Sequence, residues 1–283
     1  MRARHGMLSR MGVQSEIEQL SILSLNCQHG RQPNLRSFFQ GIRKDKKYDF
    51  LLLQEVNRAV VDMLPDGEDY AILRFPSRLD DDSYGSVTVM YRSDYRPEGI
   101  EYFSFDKLLG RKFSTHYGLA LATFFGPKGQ YTVGSLHMNA GLRWDPRKKE
   151  AYFLRELLQE RSDLIDGSII LGGDFNNGYP WEDGVADRIF DPLLKNVTTS
   201  IDRTLDSLYS EPAGNFVNDL SWLLSHIGIH VTVKVDHIFF DSKLAGLKRL
   251  ARKLPDRVSD HSPVEVIVQL AERSQTAKKE ETR

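Results

Sequence analysis

Several things that would mark a class of protein are missing from this chain. Cys27 is the single cysteine in 283 residues, which excludes an internal disulfide or a cysteine-built metal cluster and points to a reducing, cytoplasmic setting. No apolar run approaches the roughly 20 residues that a membrane-spanning helix needs. The opening MRARHGMLSRMGVQSEIEQL is basic but has no apolar core, so it does not read as a secretion signal. An excess of one charge is missing as well: 38 Lys and Arg against 39 Asp and Glu give a net charge of -1. That balance argues against a broad cationic clamp for nucleic acid and leaves room only for a local basic patch. Internal repeats, low-complexity blocks and Pro- or Gly-rich linkers are absent too.

What is present is a succession of short β-type runs: SILSLN (21–26), DFLLLQ (49–54), SVTVMY (86–91), LALATFF (119–125), YTVGSLH (131–137), SIILGG (168–173), VKVDHIFF (233–240) and PVEVIV (263–268). Several alternate apolar and polar residues, as strands with one buried face do. Helical spacing lies between them. PNLRSFFQGIRK (33–44) sets Pro33 in a first turn. DPRKKEAYFLRELLQERSDLI (145–165) carries Ala151, Phe153, Leu154, Leu157 and Leu158 on one face, and NDLSWLLSHI (218–227) has Asn218 as a cap. Helices and strands are mixed from end to end, which predicts one α/β domain over 19–270 with two packed sheets flanked by helices. A flexible start (1–18) and a disordered charged tail (271–283) are expected on either side.

The informative residues stand where those strands end. IILGGDFNNG (169–178) passes from a buried, parallel-type strand into Asp174 and Asn176, which in isolation is an ordinary Gly/Asp/Asn turn. Asn26 closes SILSLN in the same way. Glu55 follows DFLLLQ and reads equally well as the first-turn acid of a helix. His137 closes YTVGSLH with Asn139 close behind, and Asp260 and His261 precede the last strand. Asp236, in the middle of an apolar run, has to be paired or functional. His237 beside it faces the other way in a regular strand and reads as structural. As a set, carboxylates, amides and two imidazoles at strand ends suit metal-assisted hydrolysis of a phosphate ester. Hard oxygens hold Mg²⁺, an imidazole moves a proton, and an adjacent acid fixes its tautomer while amide donors meet charge growing on phosphate.

In sequence order, SLNCQHG, LLLQEVN, GSLHMNAG, LGGDFNN, VDHIFF and SDHSPVEV resemble the motifs of the endonuclease/exonuclease/phosphatase superfamily. That superfamily includes deoxyribonuclease I, exonuclease III-type abasic-site endonucleases, neutral sphingomyelinases and inositol polyphosphate 5-phosphatases. The resemblance spans residues 21–268. It implies a four-layer α/β sandwich, two packed mixed β-sheets flanked by helices, and a phosphodiesterase using Mg²⁺, with Mn²⁺ as the alternative. It implies Glu55 as the main metal ligand, Asn26 as its neighbour and co-ligand, and Asp260 near the metal, directly or through water. His261 becomes the catalytic histidine, paired with Asp236. Asp174 and Asn176 orient the attacking water and donate to phosphoryl oxygens, and His137 stabilises the transition state or protonates the leaving group. Tyr84 matches a phosphate-contacting tyrosine, and Asn139 and Arg143 are expected to bind substrate. The family's phosphate-binding arginine has no clear counterpart, since Arg111, Lys112 and His116 all fall where it would lie.

The resemblance covers several substrates. Nucleic acid is favoured by the second histidine and by RWDPRKKE (143–150), whose basic residues could meet a phosphate backbone, although a solvated helix start explains that segment equally well. A sphingomyelinase-like or small organic phosphodiesterase is the alternative, opposed by the lack of an exposed apolar hairpin. A non-catalytic binding member is remote, because Asn26, Glu55, Asp174, Asn176, Asp236 and His261 are all kept. A monomer is expected, with specificity carried by loops near 76–86, 104–118, 139–147 and 177–218.

Overall fold

The computed structural model describes residues 18–45, 47–65, 67–73, 86–110, 117–139, 144–161, 168–176, 185–201, 235–254, 258–259 and 261–270. Its strands are β1 (Gln19–Asn26), β2 (Phe50–Val56), β3 (Tyr70–Ile72), β4 (Ser86–Arg92), β5 (Arg96–Ser104), β6 (Gly118–Gly126), β7 (Gly129–His137), β8 (Ser168–Asp174), β9 (Lys195–Asn196), β10 (Asp236–Phe240), β11 (Arg249–Lys253) and β12 (Val264–Gln269). Its α-helices are α1 (Leu35–Asp45), α2 (Arg58–Val61), α3 (Phe105–Leu108), α4 (Trp144–Glu160), α5 (Val185–Phe190) and α6 (Ser242–Ala245).

The strands form two six-stranded mixed sheets, ordered β11-β12-β1-β2-β4-β3 and β5-β6-β7-β8-β10-β9. Each sheet holds one parallel pair, β1 with β2 and β7 with β8. A parallel pair needs a crossover, and the two long helices, α1 and α4, supply one each. Strand alternation then sorts the apolar side chains into layers. Leu20, Ile22, Phe50 and Leu52 face the space between the sheets and meet Val133, Ile170, Ile238 and Phe240. The opposite set, Leu23, Leu25, Leu51 and Leu53, packs on Leu35, Phe39 and Ile42 of α1. Across the molecule, Ile169, Leu171 and Phe239 pack on Ala151, Leu154 and Leu158 of α4. The result is the expected helix–sheet–sheet–helix sandwich. Among the described residues, no helix is long and apolar enough to cross a membrane.

Some elements depart from the sequence expectations. The helix expected over 145–165 ends at Glu160, and the one expected from residue 33 starts at Leu35, leaving Pro33 in the turn before it. Strands β3, β5, β9 and β11 had no clear signal. β5 is a half-exposed edge strand whose alternation breaks at an irregularity between Glu98 and Glu101, where Gly99 has φ 59. β11 reads Arg-Leu-Ala-Arg-Lys, the charged composition that protects a sheet edge. Asp236 is the first residue of its strand rather than the middle, which places its carboxylate at the end of the sheet. Tyr84, Arg143, Asp260, Arg111, Lys112, His116, the expected helix at 218–227, the tail 271–283 and residues 1–17 lie outside the described residues.

Candidate active site

Because β10 and β12 run against their neighbours, their beginnings emerge beside the ends of β8 and β1. Pairing aligns Asn26 with Gln54, His137 with Asp174, Asp236 with Asp174, and Ser24 with Val264. Seven of the expected residues are thereby gathered on one edge of the sandwich. Asp174 is their hub. Its Oδ2 accepts from Asn26 Nδ2 at 3.1 Å and lies 3.6 Å from His137 Nε2 and 3.7 Å from His261 Nε2. Its Oδ1 accepts from the Asn176 backbone N–H at 2.9 Å. The same Asn26 Nδ2 donates to Glu55 Oε1 at 3.1 Å, so one amide links the two carboxylates. His261 Nδ1 is 2.8 Å from Asp236 Oδ2. His137 packs edge-on against Tyr117 with centroids 4.9 Å apart. Its buried Nδ1 has no hydrogen-bond partner among the described residues, and the opposite ring nitrogen, Nε2, is the one that faces the carboxylates.

The backbone is bent to hold this set. Glu55 sits at φ 52 where the β2–β4 register shifts between Leu53 and Val56. It is not the first-turn acid of a helix: the irregularity turns its side chain into the site. Gln28 (φ 45), His29 (φ 55) and Gly30 (φ 76) form three consecutive left-handed residues. Left-handed backbone costs an ordinary residue about 1–2 kcal/mol, and such strain persists where the surroundings over-determine it. The glycines of GGDFN have a geometric reason. At Gly173, φ is +147 and a Cβ would fall 1.9 Å from the Leu136 carbonyl oxygen. Gly173→Ala is therefore expected to force β7 and β8 apart next to His137 and Asp174. It should cost more than about 1 kcal/mol and most of the activity, measured by denaturant melts and turnover side by side.

Electrostatics separates the two central carboxylates. Burial pushes Glu55 up, but His137, His29, the Asn26 amide and His261 outweigh it and hold the group below its ordinary value. Asp174 goes the other way. Its complete burial prevails over the pull of His261 and His137, with Asp236 adding to the rise and the Asn176 N–H opposing it. Cys27, beside the site, is buried, and burial reinforced by Glu55 pushes its thiol far up, so it is not a nucleophile.

Structures behind these side chains hold them in place. Gln54 Nε2 donates to Ser135 Oγ at 3.0 Å and Ser135 Oγ to the Leu53 carbonyl at 3.0 Å, tying the two sheets beneath the site. Asn176 Nδ2 donates to the Met138 carbonyl at 2.7 Å, which leaves one amide hydrogen for a ligand. The expected basic face of RWDPRKKE divides. Lys148 and Lys149 are exposed, whereas Arg147 and Glu150 are fully buried and clasp the Asn139 main chain, Arg147 Nη1 to its carbonyl at 3.2 Å and Glu150 Oε2 from its N–H at 3.0 Å. His29 went unread in the sequence; its Nε2 lies 3.2 Å from Glu55 Oε2. Only its place three residues after Asn26 could have signalled it.

The donor chemistry suits a hard divalent cation. Two carboxylates, of Glu55 and Asp174, converge on Asn26, and Glu55 is about a quarter exposed, with 23% of its side-chain surface open. No group of three or more His, Cys, Asp and Glu side chains able to hold a metal is found among the described residues.

Residues 23–261 match the endonuclease/exonuclease/phosphatase family. No curated protein sequence matches the chain. Several solved structures share its fold. TDP2 of D. rerio, solved with a single-strand DNA product, superimposes with a TM-score of 0.61 at 18% identity, over 88% of this chain and 98% of that one. A mannosyl-6-phosphatase of Bacteroides thetaiotaomicron gives 0.62 at 16%, over 88% and 99%. The endonuclease domain of TRAS1, a telomere-specific non-LTR retrotransposon, gives 0.56 at 14%, over 89% and 99%.

Proposed function

The chain belongs to the endonuclease/exonuclease/phosphatase family, a family of phosphoesterases, and from that premise we propose that it is a divalent-metal-dependent phosphodiesterase acting on nucleic acid. The observation that carries the reading is the convergence of Asn26 Nδ2, His137 Nε2 and His261 Nε2 on Asp174 Oδ2.

His261 and Asp174 form the attacking side. The 3.7 Å gap between His261 Nε2 and Asp174 Oδ2 is too long for a direct bond, yet a water oxygen fits within about 2.8 Å of both. Such a water would donate one hydrogen to each and present a lone pair to phosphorus. His261 Nε2 takes the proton as attack proceeds, and Asp236 on Nδ1 stabilises the imidazolium that forms. The Nε2–H of His137 and the remaining amide hydrogen of Asn176 meet the charge that grows on the phosphoryl group, and His137 is placed to protonate the departing oxygen. Mg²⁺ or Mn²⁺, when held by Glu55 and Asn26 with Asp260 as the further ligand, supplies Lewis-acid polarisation of the phosphate and offsets its charge.

Nucleic acid is the preferred substrate because Lys148 and Lys149 stand exposed on the first turns of α4, close behind His137 in the chain, and because two structural neighbours are named for a DNA complex and an endonuclease. Tyr84, Asn139 and Arg143 remain the proposed substrate contacts. The test is hydrolysis of bis-p-nitrophenyl phosphate and of plasmid DNA with Mg²⁺, Mn²⁺ or EDTA. Turnover of both, lost in EDTA and restored by added metal, is the expected result. Turnover of the chromogenic diester alone would replace nucleic acid with a small or lipid phosphodiester. Undiminished activity in EDTA would remove the metal from the mechanism.

A further inference from the structure

The left-handed turn at 28–30 is held from three sides. Gln28 N–H donates to Asn26 Oδ1 at 3.0 Å, and Gly30 N–H to the Cys27 carbonyl at 2.9 Å. Asn57 uses both ends of its side chain. Its Oδ1 accepts from Val60 N–H at 3.0 Å, capping α2, and its Nδ2 donates to the His29 carbonyl at 3.1 Å. Gly30 rests against Val60 and Met63 so closely that a Cβ there would be 3.3 Å from Val60 Cγ2. A strained turn fixed this firmly has a product, and the product is the placement of one imidazole. His29 Nε2 lies 3.2 Å from Glu55 Oε2, while Oε1 of the same carboxylate is held by Asn26. Among the described residues no other imidazole is so near: His137 Nε2 is 4.0 Å from Oε1.

We propose that His29 is a positioning residue for Glu55, fixing one carboxylate oxygen while Asn26 fixes the other, and so preorganises the carboxylate for the cation assigned above. The inference rests on that metal assignment. Each carboxylate oxygen has two lone-pair directions, so one partner on each still leaves a direction per oxygen for a metal. The orientation of both is set before the metal arrives.

Outer partners of this kind typically change metal affinity 10–100-fold. The test is titration of the full-length, metal-free protein with Mn²⁺, following free Mn²⁺ by electron paramagnetic resonance, a readout that needs no turnover. His29→Ala is expected to weaken Mn²⁺ binding about 10–100-fold. His29→Gln, whose amide keeps an N–H donor at similar reach, should remain within a few-fold of wild type. Should His29→Ala not fold, His29→Leu compared with His29→Gln asks the same question with side-chain bulk kept. Equal affinity in wild type and the variants lacking the donor would overturn the proposal. So would ¹⁴N coupling to bound Mn²⁺ that His29→Gln abolishes, because His29 would then be a ligand itself. Wild type that binds no Mn²⁺ would overturn the metal assignment instead.

Discussion

Replacing Asp174 by asparagine is expected to lower turnover on a phosphodiester by at least about 10²–10³-fold and, in metal-free protein at neutral pH, to leave the fold as stable as before or more so. The activity loss follows from the position of Oδ2, which faces Asn26, His137 and His261 at 3.1, 3.6 and 3.7 Å. The amide that replaces it cannot both accept from Asn26 and hold a water as an anion does. The stability argument follows from the raised pKa. A carboxyl whose value in the fold lies above its unfolded one, here 3.8, adds stability below that pH. The contribution is lost as pH rises through the raised native value. Asparagine never ionises, so the variant should gain on wild type as pH climbs from about 4 to 7 in EDTA. Glu55, held low by His137, His29, Asn26 and His261 against its burial, is present in both proteins and cancels in the comparison. Divalent metal should reverse the order, because ligand binding to the folded state stabilises by mass action and the wild-type site carries one more anion. Thermal melts over that pH range, with EDTA and with Mn²⁺, check this directly. Wild-type turnover in the variant would end the catalytic assignment. A variant that melts lower at neutral pH in EDTA would make Asp174 a structural acid.

How much of this could be read from the sequence depended on whether the signal was local. The layers were legible because Leu20-Ile22 and Leu23-Leu25 fall on opposite faces by strand period alone, as do Phe50-Leu52 and Leu51-Leu53. The residues of the site were legible because each closes or opens an apolar run, and strand ends are where a sandwich puts its polar groups. Tertiary facts were not legible. Nothing near Arg147 distinguishes it from Lys148, yet Arg147 is buried against the Asn139 carbonyl, because α4 packs over the segment leaving β7. Residue pattern alone left Glu55 equally readable as a helix-start acid, because the positive φ that turns it into the site is imposed by a shift in register against β4, a partner 30 residues further along. β5 was hidden because an edge strand with one wet face and a glycine irregularity has no clean alternation to detect. His29 belongs to the same class: its meaning comes from Asn57 and Glu55, which fold back onto it.

The dyad of His261 and Asp236 carries the other large effect. His261→Ala is expected to cost about 10²–10⁴-fold in kcat. Asp236→Asn should also be severe. The asparagine amide can donate as well as accept, so it no longer commits Nδ1 to carry the proton, and no anion remains to stabilise the imidazolium. If the two act as one unit, the double variant should be scarcely slower than His261→Ala, because residues sharing a step are strongly non-additive. The limb of the kcat/KM profile that rises with pH as the base deprotonates should vanish in His261→Ala and persist in His137→Ala, whose ring is assigned to the leaving side. Full pH–rate profiles of the four variants and wild type separate these roles. Losses that simply multiply in the double variant would mean that Asp236 acts on something other than His261. A rising limb that survives in His261→Ala would assign the base elsewhere, and Asp174, already displaced upward by its burial, would be the group left to carry it.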